Sequence, residues 1–377
     1  MSRWHFYTVP VFVLLIGFPL LTNAQATSTP DTETVQEAQV LSVTPGPNEI
    51  LPDTGASTPT QTITADVMSG PNMGDNITFE NDFIQLQDGD LFYAMHTTNA
   101  TDGTDSWSVA DAYRLNDLYA LAALFLFLII IFGGLQGLRG FASLLGSLVL
   151  IFLVMVPSLL HGYSPILVSI GVSGLIILFG SYVTHGYNRT TTAAVLGMIA
   201  TVLITGALAY YFVHAANLSG LATEEEATLN FNTQGTIDMM SLLLGGIMIG
   251  LLGVLYDIAI GQAIAVEELF RAGKDMTRSH VYLRAIRIGR EHIGALVNTL
   301  AIAYVGSALP ILLLATEGST YGIIYAINSE LFSTEIVRIL IGSIGLILAV
   351  PVTTIIASYM LQGRITGVSH SRQGHSH

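Results

Sequence analysis

The chain has 377 residues, of which 51% are hydrophobic and 11% charged, and its formal net charge is −14. Soluble domains carry about 25% charged residues, so this composition excludes an ordinary soluble protein. Cysteine is absent, which excludes disulfides, cysteine nucleophiles and cysteine-ligated metals. The sequence has no basic patch of the kind that binds nucleic acid.

The N-terminus has the pattern of a secretory signal peptide over residues 1–26. A positively charged start precedes an apolar run at 9–21, and Ala24 and Ala26 form a small-x-small cleavage site. An uncleaved anchor helix is the alternative. In either case the segment that follows is predicted to be exported.

Residues 27–116 are predicted to form an exported, acidic, β-rich module with flexible linkers. The segment contains fourteen Asp or Glu residues and one basic residue, Arg114. Turn signals and Thr/Pro/Ser-rich stretches at 26–34 and 45–62 separate short strand-like runs. The predicted strands are 39–43, 62–67, 76–80, 83–86 and 91–96. We expect a small barrel, with a disordered stalk as the alternative.

Residues 117–362 are predicted to form an all-α membrane bundle of seven transmembrane helices. Apolar runs close to the roughly 20 residues that cross a bilayer repeat through this region. The predicted spans are 118–138, 141–160, 165–184, 191–213, 239–260, 293–315 and 336–360. Ten Lys or Arg residues fall on the inner side and two on the outer side. This asymmetry predicts a cell-membrane protein with an extracytoplasmic N-terminal module and a cytoplasmic C-terminus.

Residues 263–292 are the long cytoplasmic connection of this topology. Arg284, Arg287 and Arg290 recur every three residues among apolar side chains. That pattern is typical of a basic amphipathic helix on the anionic inner leaflet, although ordinary positive-inside charge explains it equally well. The tail at 363–377 contains several His residues, and both a disordered end and a metal-binding tail are consistent with it.

The fifth predicted span carries an ionisable side chain, Asp257. It shares one helix face with Gly246, Gly250, Gly253 and Gly261. Glycine lets another helix backbone approach closely, so Asp257 is expected to point at a neighbouring helix. A charge within a span costs roughly 2.5–3.5 kcal/mol by insertion scales and needs a partner or a water-filled path.

Other polar side chains near Asp257 complete a candidate inner binding site. They are Gln262, Glu267, Glu268, His292, Asn298 and Thr299. The antiparallel fifth and sixth spans bring His292 to the depth of Asp257, and a carboxylate–imidazole pair suits proton relay or metal ligation. The alternative is structural, with Asp257 bonded to another helix and His292 facing water. The sequence leaves a bound metal or cofactor open.

A candidate outer polar group lies at the start of the seventh span. Its members are Asn328, Glu330, Glu335 and Arg338. Glu335 and Arg338 stand three residues apart on a helix, where opposite charges can pair. The group is either a local ion pair or an outer gate with a carboxylate that binds solute.

Several motifs resemble the YibE/F family of bacterial multi-pass membrane proteins. They include GVLYDIAIGQ at 253–262, IGREHIG at 288–294 and VPVTT at 350–354, and the resemblance covers residues 115–362. Tyr256 stands where a second acidic residue is frequent in the family. The resemblance supports the topology and the polar residues, but it implies no substrate.

These features favour a secondary transporter or permease for a small ion or solute, embedded in the lipid bilayer. The alternative is a non-transporting scaffold or sensor that binds a partner through its exported module. A sibling membrane subunit or a second copy of the chain is a candidate partner. We do not expect an enzyme, because the sequence has no phosphate-binding loop and no hydrolase motif.

Overall fold

The computed structural model describes residues 32–50, 57–100, 102–273, 276–318 and 322–362. The predicted signal peptide at 1–26 and the predicted tail at 363–377 lie outside the described residues. The described chain is mostly helical, and it divides into two units, residues 1–124 and 125–377.

The first unit contains a five-stranded antiparallel sheet. Its strands are β1 (Thr32–Ile50), β2 (Ser57–Val67), β3 (Asn76–Asn81), β4 (Leu91–Thr98) and β5 (Asp105–Ala112). They follow the order β3–β2–β1–β4–β5. One end of β1 pairs with β4 and the other with β2, so the sheet curls into a half-barrel. Its core includes Ile63, Phe79 and Phe92, which confirms the predicted β-rich module.

Two details of the predicted module are wrong. The expected flexible stretch at 45–62 is strand at 45–50 and 57–62, because β1 and β2 extend into it from both sides and pair, and residues 51–56 between them lie outside the described residues. The expected strand at 83–86 is a connection held by one buried side chain. The Gln61 amide donates to the Leu86 carbonyl and accepts from the Leu86 N–H, both at 2.9 Å. These two bonds replace the ladder that a neighbouring strand would supply.

Helices make up the rest of the described chain. They are α1 (Leu115–Leu128), α2 (Gly134–Leu150), α3 (Val156–Leu160), α4 (Pro165–His185), α5 (Arg189–Ala215), α6 (Glu224–Asn232), α7 (Met239–Ala272), α8 (Arg278–Ser307), α9 (Leu309–Gly318), α10 (Ile323–Asn328) and α11 (Glu330–Leu361). Within the described residues, five helical stretches are long and apolar enough to cross a membrane: 115–160, α4, α5, α7 and α11. The seven-helix count therefore stays a prediction.

The stretch from 115 to 160 is not one straight helix. Gly134 has φ +52° and ψ −142°, and the Phe125 and Phe141 rings lie 6.2 Å apart. Sixteen residues of straight helix would separate them by about 24 Å. The chain therefore bends back at Gly134, where a residue with a Cβ would be strained. The bend falls five residues before the predicted break between the first two spans.

The region of the predicted sixth span is also rearranged. α7 continues to Ala272. α8 then runs unbroken from Arg278 to Ser307, so this one helix includes both the end of the predicted basic segment (263–292) and the start of the predicted sixth span (293–315). The predicted helix at 293–315 is interrupted at Ala308, just before α9. Pro310 explains the break, because proline fits only the first turn of the new helix.

Close packing between helices depends on glycine set against small hydroxyl side chains. A Cβ at Gly197 of α5 would overlap Thr353 of α11, and a Cβ at Gly345 of α11 would come within 3.0 Å of the Thr205 hydroxyl of α5. These reciprocal contacts join two antiparallel helices. Small residues are the usual interface residues of membrane helices, because lipid supplies no hydrophobic driving force between them.

We predict that Gly197→Ala destabilises the bundle and Gly171→Ala does not. The first change forces α5 and α11 apart, which costs about 1–3 kcal/mol. The second adds a methyl group to α4 where nothing lies within 4 Å, and alanine favours a helix by about 1 kcal/mol over glycine. Thermal unfolding in detergent measures both variants. Equal melting temperatures would contradict the packing described above.

Candidate functional site

Contacts between α7, α8 and α11 fix the relative depth of their residues. Gln262 of α7 donates through Nε2 to the Ala285 carbonyl of α8 and to the Thr354 hydroxyl of α11, both at 2.8 Å. A Cβ on Gly289 of α8 would meet Val350 of α11. These contacts place α8 antiparallel to α11, with Gly289 level with Val350.

The uncharged part of α11 indicates the depth of its residues, and of residues packed against them, in the membrane. Residues 339–361 contain no charged side chain. At 1.5 Å per residue they span about 34 Å, enough for a hydrocarbon core of about 30 Å. A bilayer centred on this stretch has its midplane near Val350. Asp257, Arg290 and Glu291 all lie near that level, because Gln262 and Gly289 fix the register.

Asp257 lines a cavity of about 440 Å³ whose walls come from α2, α4 and α7. Ser143 and Ser147 of α2, Thr184 of α4 and Tyr256 of α7 supply the other polar groups of its wall. The Asp257 side chain is exposed to this open space, and it has no hydrogen bond or ion pair with any described residue. The Asp257 carboxyl group therefore lies in the cavity wall without a partner among the described residues.

His185 at the end of α4 is a titratable neighbour that sequence analysis missed. Its ring centroid is 5.9 Å from that of Tyr256, the residue next to Asp257. The Tyr256 hydroxyl donates to the Gly180 carbonyl at 3.1 Å, which joins α7 to α4. The sequence does carry a signal for His185, because it is an ionisable residue in the last turn of an apolar helix.

The predicted partner on α8 does not reach Asp257. His292 lies near the same depth but is exposed, and its Nδ1 contacts the Ile288 carbonyl of its own helix at 3.1 Å. Thr299 donates to the Ala295 carbonyl one turn earlier. Asn298 is exposed and has no hydrogen bond within the described residues. The structure thus brings together Asp257 and His185, and it leaves these three residues on another surface.

Gln262 is a structural residue rather than part of an open site. Its side chain is only 4% exposed, and its Nε2 is committed to the two bonds with α8 and α11.

Glu267 forms part of a second cavity of about 580 Å³. Its carboxylate accepts from the Thr190 hydroxyl at 2.6 Å and pairs with Arg271 at 2.5 Å. His185 and Arg189 line the same 580 Å³ cavity. Thr184, the residue before His185 in α4, lines the 440 Å³ cavity, so neighbouring residues of α4 line the two cavities. Glu268 is exposed beside Arg271 at 3.4 Å.

The outer polar group separates into structural contacts. Arg338 and Glu335 form the predicted ion pair at 2.6 Å. Glu330 accepts from the Ser219 hydroxyl at 2.8 Å and from the Gly220 N–H at 2.9 Å, so it anchors the loop after α5. Asn328 ends α10 and makes no side-chain hydrogen bond with the described residues.

Apolar helices with ionisable groups at mid-length define a multi-pass membrane protein. The family model of YibE/F-like proteins matches residues 121–363. The chain belongs to this family. No curated protein and no solved structure matches it. Among the described residues, no group of three or more His, Asp or Glu side chains has the arrangement of a metal site.

We predict that Gln262→Leu lowers stability and Asp257→Asn does not. Leucine removes the donor that joins three helices, and an interhelical bond in a membrane contributes about 1 kcal/mol. Asparagine replaces a carboxylate that has no hydrogen-bond partner in the described chain. Melting temperatures of the two purified variants and the wild type, measured in the same detergent, test this prediction. A larger loss in Asp257→Asn would show that the carboxylate is structural.

Proposed function

We propose that this protein is a secondary transporter or permease for a small cation or proton-coupled solute. The observation that carries the proposal is an unpaired Asp257 in a cavity near mid-membrane depth, with His185 beside it. An intramembrane carboxylate is expensive in lipid, and such residues mark ion and substrate pathways. An imidazole in the same region is a group that can accept and donate a proton.

The two cavities suggest the route. The 580 Å³ cavity carries Glu267, Arg189 and His185, and the 440 Å³ cavity carries Asp257. In our proposal a cation enters through the first cavity, passes His185 and is held by Asp257. The hydroxyls of Ser143, Ser147, Thr184 and Tyr256 are the other side-chain oxygen atoms of its wall.

The topology of the proposal follows the charge distribution of the sequence. The half-barrel is extracytoplasmic, the ends of α4 and α7 near Arg189 and Arg271 face the cytoplasm, and the protein resides in the cell membrane as a seven-span bundle. Even without Arg284, Arg287 and Arg290 of α8, which lie at membrane depth, seven basic residues on the inner side against two on the outer side support this orientation. The proposed protein is a carrier rather than an enzyme.

We predict that Asp257→Asn abolishes transport while Asp238→Asn does not. Both changes remove one negative charge, but Asp238 stands at the N-cap position of α7, where its carboxylate accepts a hydrogen bond from the Ser241 hydroxyl. Asparagine suits an N-cap position as well as aspartate does. Purified protein in liposomes, with a pH-sensitive dye inside, is exposed in turn to gradients of Na⁺, K⁺ and Mg²⁺. We expect at least a tenfold loss of flux in Asp257→Asn alone.

Two outcomes would contradict the proposal. Equal flux in wild type and Asp257→Asn would remove this carboxylate from the pathway. A wild-type protein that dissipates no gradient would favour the scaffold or sensor role through the exported half-barrel.

A further inference from the structure

The 580 Å³ cavity lies at the end of the bundle where α5 begins and α11 ends. Its wall includes residues 188–191 around the start of α5, Arg271 of α7 and Leu361 at the end of α11. In the proposed route a cation only passes through this cavity, so several of its polar groups have no assigned ligand. The charges and hydrogen bonds of those groups indicate what the cavity binds.

Contacts between α5 and α11 give the depth of the cavity. The two glycine–threonine contacts that join these helices place Ala200 of α5 level with Val350 of α11, at the midplane. Arg189 lies about 16 Å along α5 from that level, and half of a bilayer's hydrocarbon core is about 15 Å thick. The start of α5 is therefore at the level of the lipid headgroups.

Arg189 is the unmatched charge of this cavity. Arg271 lies 2.5 Å from Glu267 and 3.4 Å from Glu268, so two carboxylates balance its charge. The two carboxylate oxygens of Glu267 are occupied by Arg271 and by the Thr190 hydroxyl. The Arg189 side chain has no ion pair and no hydrogen bond with any described residue. The cavity thus retains a cation without a counter-ion.

Hydrogen-bond donors at the start of α5 are also left without acceptors. The first N–H groups of a helix have no acceptor within that helix. The Asn188 side chain accepts from the Thr191 N–H at 2.8 Å, whereas the N–H groups of Arg189 and Thr190 have no hydrogen bond within the described chain. Free N–H groups at a helix N-terminus favour an anion.

Thr191 supplies an independent indication of a ligand. The residue lines the cavity and is only 3% exposed, and its hydroxyl makes no hydrogen bond with the part of the chain that the structure describes. The unpaired hydroxyls that are sealed inside the helical unit belong to other residues, so the Thr191 hydroxyl borders the cavity instead. A buried hydroxyl without a partner is unfavourable, and a ligand oxygen in the cavity removes that cost.

We propose that this cavity binds a phosphate group between the Arg189 guanidinium, the first N–H groups of α5 and the Thr191 hydroxyl. Arginine binds phosphate through parallel N–H donors, and helix N-termini bind it through free N–H groups. Depth selects phosphate among anions, because basic pockets between membrane helices at this level hold lipid headgroups. Ile264 and Leu361 supply an apolar wall for the start of an acyl chain.

The site is compatible with the proposed cation route and does not depend on it. An unmatched arginine at the entrance repels a cation, and a phosphate group bound beside it neutralises that charge. The inference concerns binding, and its test contains no flux measurement. It therefore fails or holds separately from the transport proposal.

Native mass spectrometry of the full-length protein in detergent measures the binding. The probes are phosphatidic acid and a diacylglycerol with the same acyl chains, so they differ in the phosphate group alone. We expect phosphatidic acid to bind at least fivefold more tightly than diacylglycerol. Arg189→Gln and Thr191→Val should each weaken the binding of phosphatidic acid at least fivefold.

Matched controls separate loss of the site from loss of the fold. Arg139→Gln removes another exposed arginine, which does not line the cavity and has no ion pair within the described residues. Thr191→Ser keeps the hydroxyl that Thr191→Val removes. Both controls should bind phosphatidic acid like the wild type. Arg189→Gln should also keep the wild-type melting temperature in lipid-free detergent.

Inorganic phosphate, offered in the millimolar range to the same proteins, identifies the source of the group. A lipid source predicts that phosphatidic acid binds and is not displaced by the free ion. A free-ion source predicts that inorganic phosphate binds with the same dependence on Arg189 and Thr191. Two results would overturn the proposal: neither probe shows that dependence, or diacylglycerol binds as tightly as phosphatidic acid.

Discussion

The register of α7 against α8 and α11 is the constraint on which the rest of the helical unit depends. One buried amide, Gln262, joins all three helices, and Gly289 allows α8 to pack directly on Val350. Because the contacts act at a fixed level, they determine the depth of every other side chain on these helices. The positions of Asp257, Arg290 and Glu291 follow from them.

Glycine performs two different tasks in this bundle. Gly197 and Gly345 are buried where a hydroxyl side chain of the opposite helix fills the space. Gly246, Gly253 and Gly261 face open space instead. Gly197 and Gly345 belong to two different helices, whereas Gly246, Gly253 and Gly261 recur along α7. The residue type and its spacing therefore do not show whether a glycine already contacts a neighbouring helix.

The charged groups of the helical unit also divide into two classes. Glu330, Glu335 and Glu267 are held by hydrogen bonds or ion pairs, and their role in the described chain is to join elements. Asp257 and Arg290 lack such partners and lie deep in the apolar length of the bundle. The cost of an unpaired charge in hydrocarbon connects this difference to function, because these groups need a ligand, water or another chain.

The sequence by itself determined the apolar helices, the β-rich acidic module, the family and the local Glu335–Arg338 pair. Each of these depends on composition or on residues within one or two helical turns. The tertiary structure decided that Asp257 lines a cavity between α2, α4 and α7, that the chain bends at Gly134, and that Arg290 lies at the level of Asp257. Hydrophobic periodicity defines which face of a helix is apolar, but it does not identify the helix that packs against that face. That choice depends on contacts between residues far apart in the chain, such as Gln262 and Thr354, which no local pattern encodes.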